Sequence, residues 1–87
     1  MCAIVGIINQ ESAAKSAYYG LFALQHRGQE ASGISASCEH HISTIKKKGL
    51  VTEVFNEEKL NSLKGAMAIG HNRYSTAGKN SGDDAQP

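Results

Sequence analysis

The sequence predicts an α+β chain in which helices pack on an open, mixed β-sheet, and three observations carry this. Residues 2–8 (CAIVGII) form a short apolar run rich in Ile and Val, of strand length rather than helix length. Ala14, Ala17, Tyr18, Leu21 and Leu24 then recur at helical spacing, with Lys15 and Ser16 off that stripe. Strand-like segments at 31–37, 41–48 and 66–74 follow, the last two separated by a helical stretch.

Each element has a local reason. The first strand, apolar on both faces, should be buried on both. Asn9-Gln10 reads as a turn and Ser12 as a helix N-cap. The helix is expected over about 12–27, with Gly28 available as a left-handed cap. Gly20 lies inside it; an interior glycine costs about 1 kcal/mol, so a closely packed neighbour is expected there. Ala31 to Ser37 is built of small residues around Gly33 and Ile34 and reads as a second strand. Residues 41–48 alternate as a half-exposed third strand, and Gly49 ends it. Leu50, Val54, Leu60 and Leu63 predict one or two short helices over 50–64. Ala66 to Tyr74 is an apolar strand that finishes in polar groups, and the small, polar tail from Ala77 to Pro87 reads as a loop. With no element after it to close the layer, the chain is expected to be the first part of something longer.

Size and composition narrow the class. An 87-residue chain supports one domain at most and buries roughly 60–65% of its unfolded surface, so its core is thin. It is 40% hydrophobic and 20% charged, with no Trp, which is the profile of a soluble globular chain. A net charge of +1 gives no field that would attract nucleic acid or an anionic membrane. The apolar start lacks a basic leader and breaks at Asn9, too short for a signal sequence or membrane helix. Cys2 and Cys38 are too few to staple a secreted domain of this size, so two free thiols in a reducing cytoplasm are expected.

Three stretches hold the chemistry. A cysteine directly after the initiator becomes the N-terminus once Met1 is trimmed. It then carries a thiol and a free α-amine, with reference pKa values of about 8.5 and about 7.7–8.0, so the amine can serve as a built-in base. Taken alone, Cys2 reads more readily as a small buried hydrophobe at a strand start. The second stretch, Leu24-Gln25-His26-Arg27-Gly28-Gln29-Glu30-Ala31-Ser32-Gly33-Ile34, crowds cations, amides and glycines into a helix-to-strand junction. A helix C-terminus accounts for His26, Arg27 and Gly28 but leaves Gln29, Glu30 and Gly33 unexplained. The third, Gly70-His71-Asn72-Arg73-Tyr74-Ser75-Thr76-Ala77-Gly78, sets an arginine at a strand end before two hydroxyls. Such an arginine can grip a carboxylate bidentately, and the segment after it could close as a lid; standing alone it would read as a surface arginine beside a turn. Cys38, His40 and His41 invite a zinc reading, but no second ligand pair stands at a suitable spacing, so no metal is expected. Lys46-Lys47-Lys48 reads as a solvated strand end, and there is no phosphate loop or dinucleotide fingerprint.

Together the three stretches, with the closing Asp84-Ala85-Gln86-Pro87, resemble the glutaminase domain of the class II glutamine amidotransferases, the N-terminal-nucleophile hydrolases. The motifs run the length of the chain. The resemblance is strongest to the branch whose second domain binds phosphoribosyl pyrophosphate and magnesium and makes phosphoribosylamine for purine biosynthesis. It implies a layered αββα sandwich, incomplete in this chain: residues 1–87 would be the N-terminal part of the glutaminase domain, with the phosphoribosyltransferase domain absent. It implies Cys2 as the nucleophile on the glutamine side-chain amide, with a thioester intermediate. Arg73 would hold the substrate α-carboxylate, Tyr74, Ser75 and Thr76 would line the glutamine loop, and Arg27 and Gly28 would support the floor. The family's oxyanion-hole Asn-Gly pair and the Asp that binds the substrate amine lie further downstream than Pro87. The full-length enzyme would be a cytoplasmic homo-oligomer, and the isolated chain weakly active or inactive. Ala3 stands where the family usually has Gly, the mildest change there but one that could tighten the pocket beside the nucleophile; Asn72 stands where the family is commonly apolar or Thr and is expected to be tolerated; Asp84 stands where Asn is commoner. Two other readings stay open: another class II amidotransferase, such as the glucosamine-6-phosphate or asparagine-forming enzymes, and a non-catalytic α/β module in which Cys2 only packs.

Overall fold

Four strands hydrogen-bond into one sheet, and the helices that connect them pack on one of its faces. The computed structural model describes residues 2–27, 29–74 and 85–87. Strand β1 (Ala3–Ile8) leads to helix α1 (Ala13–Ala23), a single 3₁₀ turn (Gln25–Arg27) and strand β2 (Ala31–Cys38). A tight hairpin joins β2 to β3 (His41–Lys48); helices α2 (Val51–Val54) and α3 (Glu57–Ser62) then lead to β4 (Met67–Arg73). The sheet order is β1-β4-β2-β3 and every neighbouring pair is antiparallel.

The expected mixed sheet is therefore corrected. The β1-α1-β2 crossover does leave β1 and β2 pointing the same way, but β4 inserts between them and pairs with both in the opposite sense. The predicted helix 12–27 is also shorter. Beyond Ala23 the Leu24 amide reaches both the Gly20 and Leu21 carbonyls at 3.1 Å, and the chain tightens into the 3₁₀ turn. Ser12 does occupy the N-cap position, although its side chain makes no capping bond. Gly28, the expected left-handed cap, lies outside the described residues.

The register sets the two faces. The row Val5–Gly70–Ile34–Ile45 faces the helices, as does Ile7–Ala68–Ala36. Leu21, Ile34, Val51 and Val54 are fully buried there, with Phe55, Leu60 and Leu63 closing the edge. The expected close neighbour of Gly20 is Val5: a Cβ on the glycine would lie 3.0 Å from both Val5 methyl carbons.

The other face is open at one end. Ile4, Ile8, Ile42, Met67 and Ile69 all project from it and are more than half exposed. This corrects the reading of β1 as a strand buried on both faces: α1 covers one face only, so Ile4 and Ile8 stay in solvent. Strand β3, at the sheet edge, is exposed along most of its length rather than half-exposed. Among the described residues no helix is long and apolar enough to cross a membrane.

Candidate functional site

The three motif stretches, distant in sequence, meet at one end of the sheet. Cys2 directly precedes β1, and β1 pairs with β4 from Ala3 opposite Asn72. Its thiol is exposed and lies 3.9 Å from the main-chain oxygen of Tyr74, the residue after β4. On the other side of β4, Ala31 pairs with Arg73, and the Glu30 amide donates to the Arg73 carbonyl at 3.1 Å. The Gly49 amide in turn donates to the Glu30 carbonyl at 2.8 Å. Arg27 sits in the 3₁₀ turn, its amide bonded to the Leu24 carbonyl at 2.9 Å, and that turn packs against β4.

The alternation along β4 puts His71 and Arg73 on the open face and Asn72 on the helix-covered face. Arg73 is half-buried and Tyr74 exposed. The same alternation carried back along β1 puts Cys2 on the open face with Arg73. A thiol and a guanidinium thus flank one corner of the sheet. The cation is suited to a carboxylate, and the sulfur is free to meet an electrophilic carbon.

The end of the chain returns to this face. Ala85 is buried, the Gln86 carbonyl packs directly on Gly33, and Lys46 Nζ reaches the Pro87 carbonyl at 3.5 Å. Gly33 has no room for a side chain beneath that carbonyl, which explains the glycine left unaccounted for in the second stretch. His71 lies in the same cross-strand row as Gly33 and Lys46 and is buried. Its Nδ1 has no hydrogen-bond partner among the described residues. Burial, and then the charge of Arg73, hold its pKa below the ordinary imidazole value.

Of the residues expected at the site, Cys2, Arg73 and Tyr74 come together and Arg27 stands on the adjoining turn. Gly28, Ser75 and Thr76 lie outside the described residues. Three supporting residues escaped the sequence reading. Gln25 Oε1 accepts from the Val51 amide at 2.7 Å and so caps α2. Asn72 and Ser32 form a buried polar pair behind the strand end. Cys38 faces His41 across the β2–β3 hairpin, and among the described residues no three His, Cys, Asp or Glu side chains gather to hold a metal ion.

No family model matches the chain. It is 53% identical over 89 aligned positions to the amidophosphoribosyltransferase of Archaeoglobus fulgidus, covering 100% of this chain and 19% of that protein. It is 52% identical to the chloroplastic amidophosphoribosyltransferase 1 of Arabidopsis thaliana, covering 99% of this chain and 15% of that one. Its backbone matches a solved allosteric regulatory enzyme of purine biosynthesis with a TM-score of 0.91 at 45% identity, over 100% of this chain and 18% of the other. It matches the glutamine phosphoribosylpyrophosphate amidotransferase of B. subtilis with a TM-score of 0.87 at 42% identity, over 100% and 18%. The chain thus spans about a fifth of the length of these relatives. Over all 87 residues, sequence and backbone alike match the N-terminal part of the amidophosphoribosyltransferases.

Proposed function

We propose that this chain carries the nucleophile and part of the glutamine site of an amidophosphoribosyltransferase. The observation that supports this best is the convergence of Cys2, the Arg73–Tyr74 strand end and the Arg27–Glu30 junction at one corner of the sheet. Removal of Met1 frees the α-amine of Cys2, which takes the thiol proton directly or through a water. The thiolate attacks the side-chain amide carbon of glutamine; the C–N bond breaks, and the nitrogen leaves as ammonia with the proton the base has taken. Water then attacks the thioester, releasing glutamate and restoring the thiol. Arg73 pairs with the α-carboxylate of glutamine, Tyr74, Ser75 and Thr76 would contribute to the glutamine loop, and Arg27 and Gly28 would support the site. Ammonia attacks the anomeric carbon of phosphoribosyl pyrophosphate; the C–O bond to pyrophosphate breaks, pyrophosphate leaves, and the amine loses a proton to give phosphoribosylamine. The acceptor and its magnesium would be bound by the phosphoribosyltransferase domain that the resemblance implies. Two free, exposed cysteines fit a cytoplasmic setting.

The test is Cys2→Ala in the protein that carries this sequence. Glutamine-dependent synthesis should fall by at least about 10⁴-fold, the scale seen when a nucleophile is removed, while synthesis from ammonia continues. Equal loss of both, or survival of both, would overturn the assignment.

A further inference from the structure

Asn72 turns its amide inward between two strand residues that face outward, and it is completely buried. A buried primary amide is costly unless both of its ends are bonded. Here Nδ2 donates to the Leu21 carbonyl at 2.8 Å, and Oδ1 accepts from the Ser32 hydroxyl at 3.0 Å. A carbonyl can only accept, so Leu21 fixes which end of the amide is nitrogen. Ser32 is itself completely buried, with the Gly49 carbonyl at 3.4 Å as its alternative acceptor.

What this pair joins matters more than its burial. Leu21 lies in the last turn of α1, just before the 3₁₀ turn that carries Arg27. Ser32 lies on β2 one residue after Ala31, which pairs with Arg73. Asn72 itself immediately precedes Arg73, and its partner across β1 is Ala3, the neighbour of Cys2. One side chain therefore ties together the backbones that lead to the nucleophile, the guanidinium and the supporting turn. An apolar side chain of the same volume would fill the space, but dispersion contacts are not directional and would leave α1 free to slide along the strand.

We propose that Asn72, with Ser32, is a positioning residue for the glutamine site, setting Arg73 and Tyr74 relative to Cys2. This rests on the glutaminase reading above. It is tested by glutamine kinetics and thermal melting of Asn72→Leu and of the double variant Asn72→Leu/Ser32→Ala, in the protein that carries this sequence. The single variant leaves the Ser32 hydroxyl with only the Gly49 carbonyl at 3.4 Å, takes one of two donors from the Leu21 carbonyl, which keeps the Leu24 amide, and should melt lower. The double variant rebuilds an apolar layer and should recover most of that loss. Its KM for glutamine should nevertheless stay about tenfold above the parent's, with kcat changed much less, because orientation rather than packing has been lost. A double variant with the parental KM would overturn the proposal. Should the double variant fail to fold, Ser32→Ala alone decides: it frees one end of the amide, and an unchanged KM there would overturn the proposal equally. A parent protein that hydrolyses no glutamine would remove the glutaminase reading and this inference with it.

Discussion

His71 is a buried imidazole whose Nδ1 finds no partner among the described residues and whose neighbour two residues on is a cation. Both burial and charge disfavour the protonated ring, so its folded pKa lies below the ordinary value of 6.5. The sign of the consequence follows. Well above pH 6.5 the ring is neutral in both the folded and unfolded chain and makes no difference. As pH falls through 6.5 the unfolded chain takes up a proton that the folded chain resists, so stability drops, and it goes on dropping until the lowered folded value is reached. Melting temperature should therefore decrease between pH 7.5 and 5.5, and His71→Gln should show a visibly smaller decrease. Parallel pH profiles for the two proteins would show that His71 does not carry the acid sensitivity.

Helix α1 meets the sheet through two closely fitted contacts, Gly20 against Val5 and Gly70 against Leu21. A Cβ at Gly70 would come within 2.9 Å of a Leu21 methyl, so Gly70→Ala should cost about 1–3 kcal/mol by overpacking. Leu21→Ala should cost about 2–5 kcal/mol by leaving a cavity. Because the first substitution adds volume where the second removes it, the double variant in urea unfolding should cost clearly less than the two singles combined. Additive costs would mean that the two positions do not share one space. Much of this layer was legible in the sequence, because Ala14, Ala17 and Leu21 at helical spacing and short Ile- and Val-rich runs are direct consequences of burying one face. The limits of that legibility are physical too. A polar run such as His71-Asn72-Arg73 does not disclose which member turns inward, so Asn72 read only as a tolerated substitution. Likewise, Gln25 looked like part of a helix, yet its side chain caps α2 from outside. Cys2, Arg73 and Tyr74 could be picked out because their chemistry is distinctive. The antiparallel placement of β4 could not, since it depends on pairing with a segment about sixty to seventy residues earlier in the chain.

At the scale of the whole molecule, the two faces of the sheet are unequal. One is sealed by α1, α2 and α3. The other presents Ile4 together with Ile8, Ile42, Met67 and Ile69, and the last four border an apolar groove of about 230 Å³. Among the described residues, Gln86 and Pro87 lie against this face at the Gly33 end. In a layered αββα sandwich this is the face on which the second sheet would lie, and the relatives have about four-fifths of their length beyond the region matched here. An uncovered apolar face on a small chain favours self-association. The double variant Ile42→Lys/Ile69→Lys should therefore shift the isolated 87-residue chain toward monomer in sedimentation while leaving its melting temperature close to the parent's, since both side chains already sit largely in solvent. In a longer protein carrying the same sequence, those two lysines would meet a closed layer and should cost about 3–5 kcal/mol each, the scale of a buried, unpaired charge. Harmless substitution in both settings would mean that no second layer closes on this face, and the glutamine site at its corner would then lie open to water rather than between two sheets.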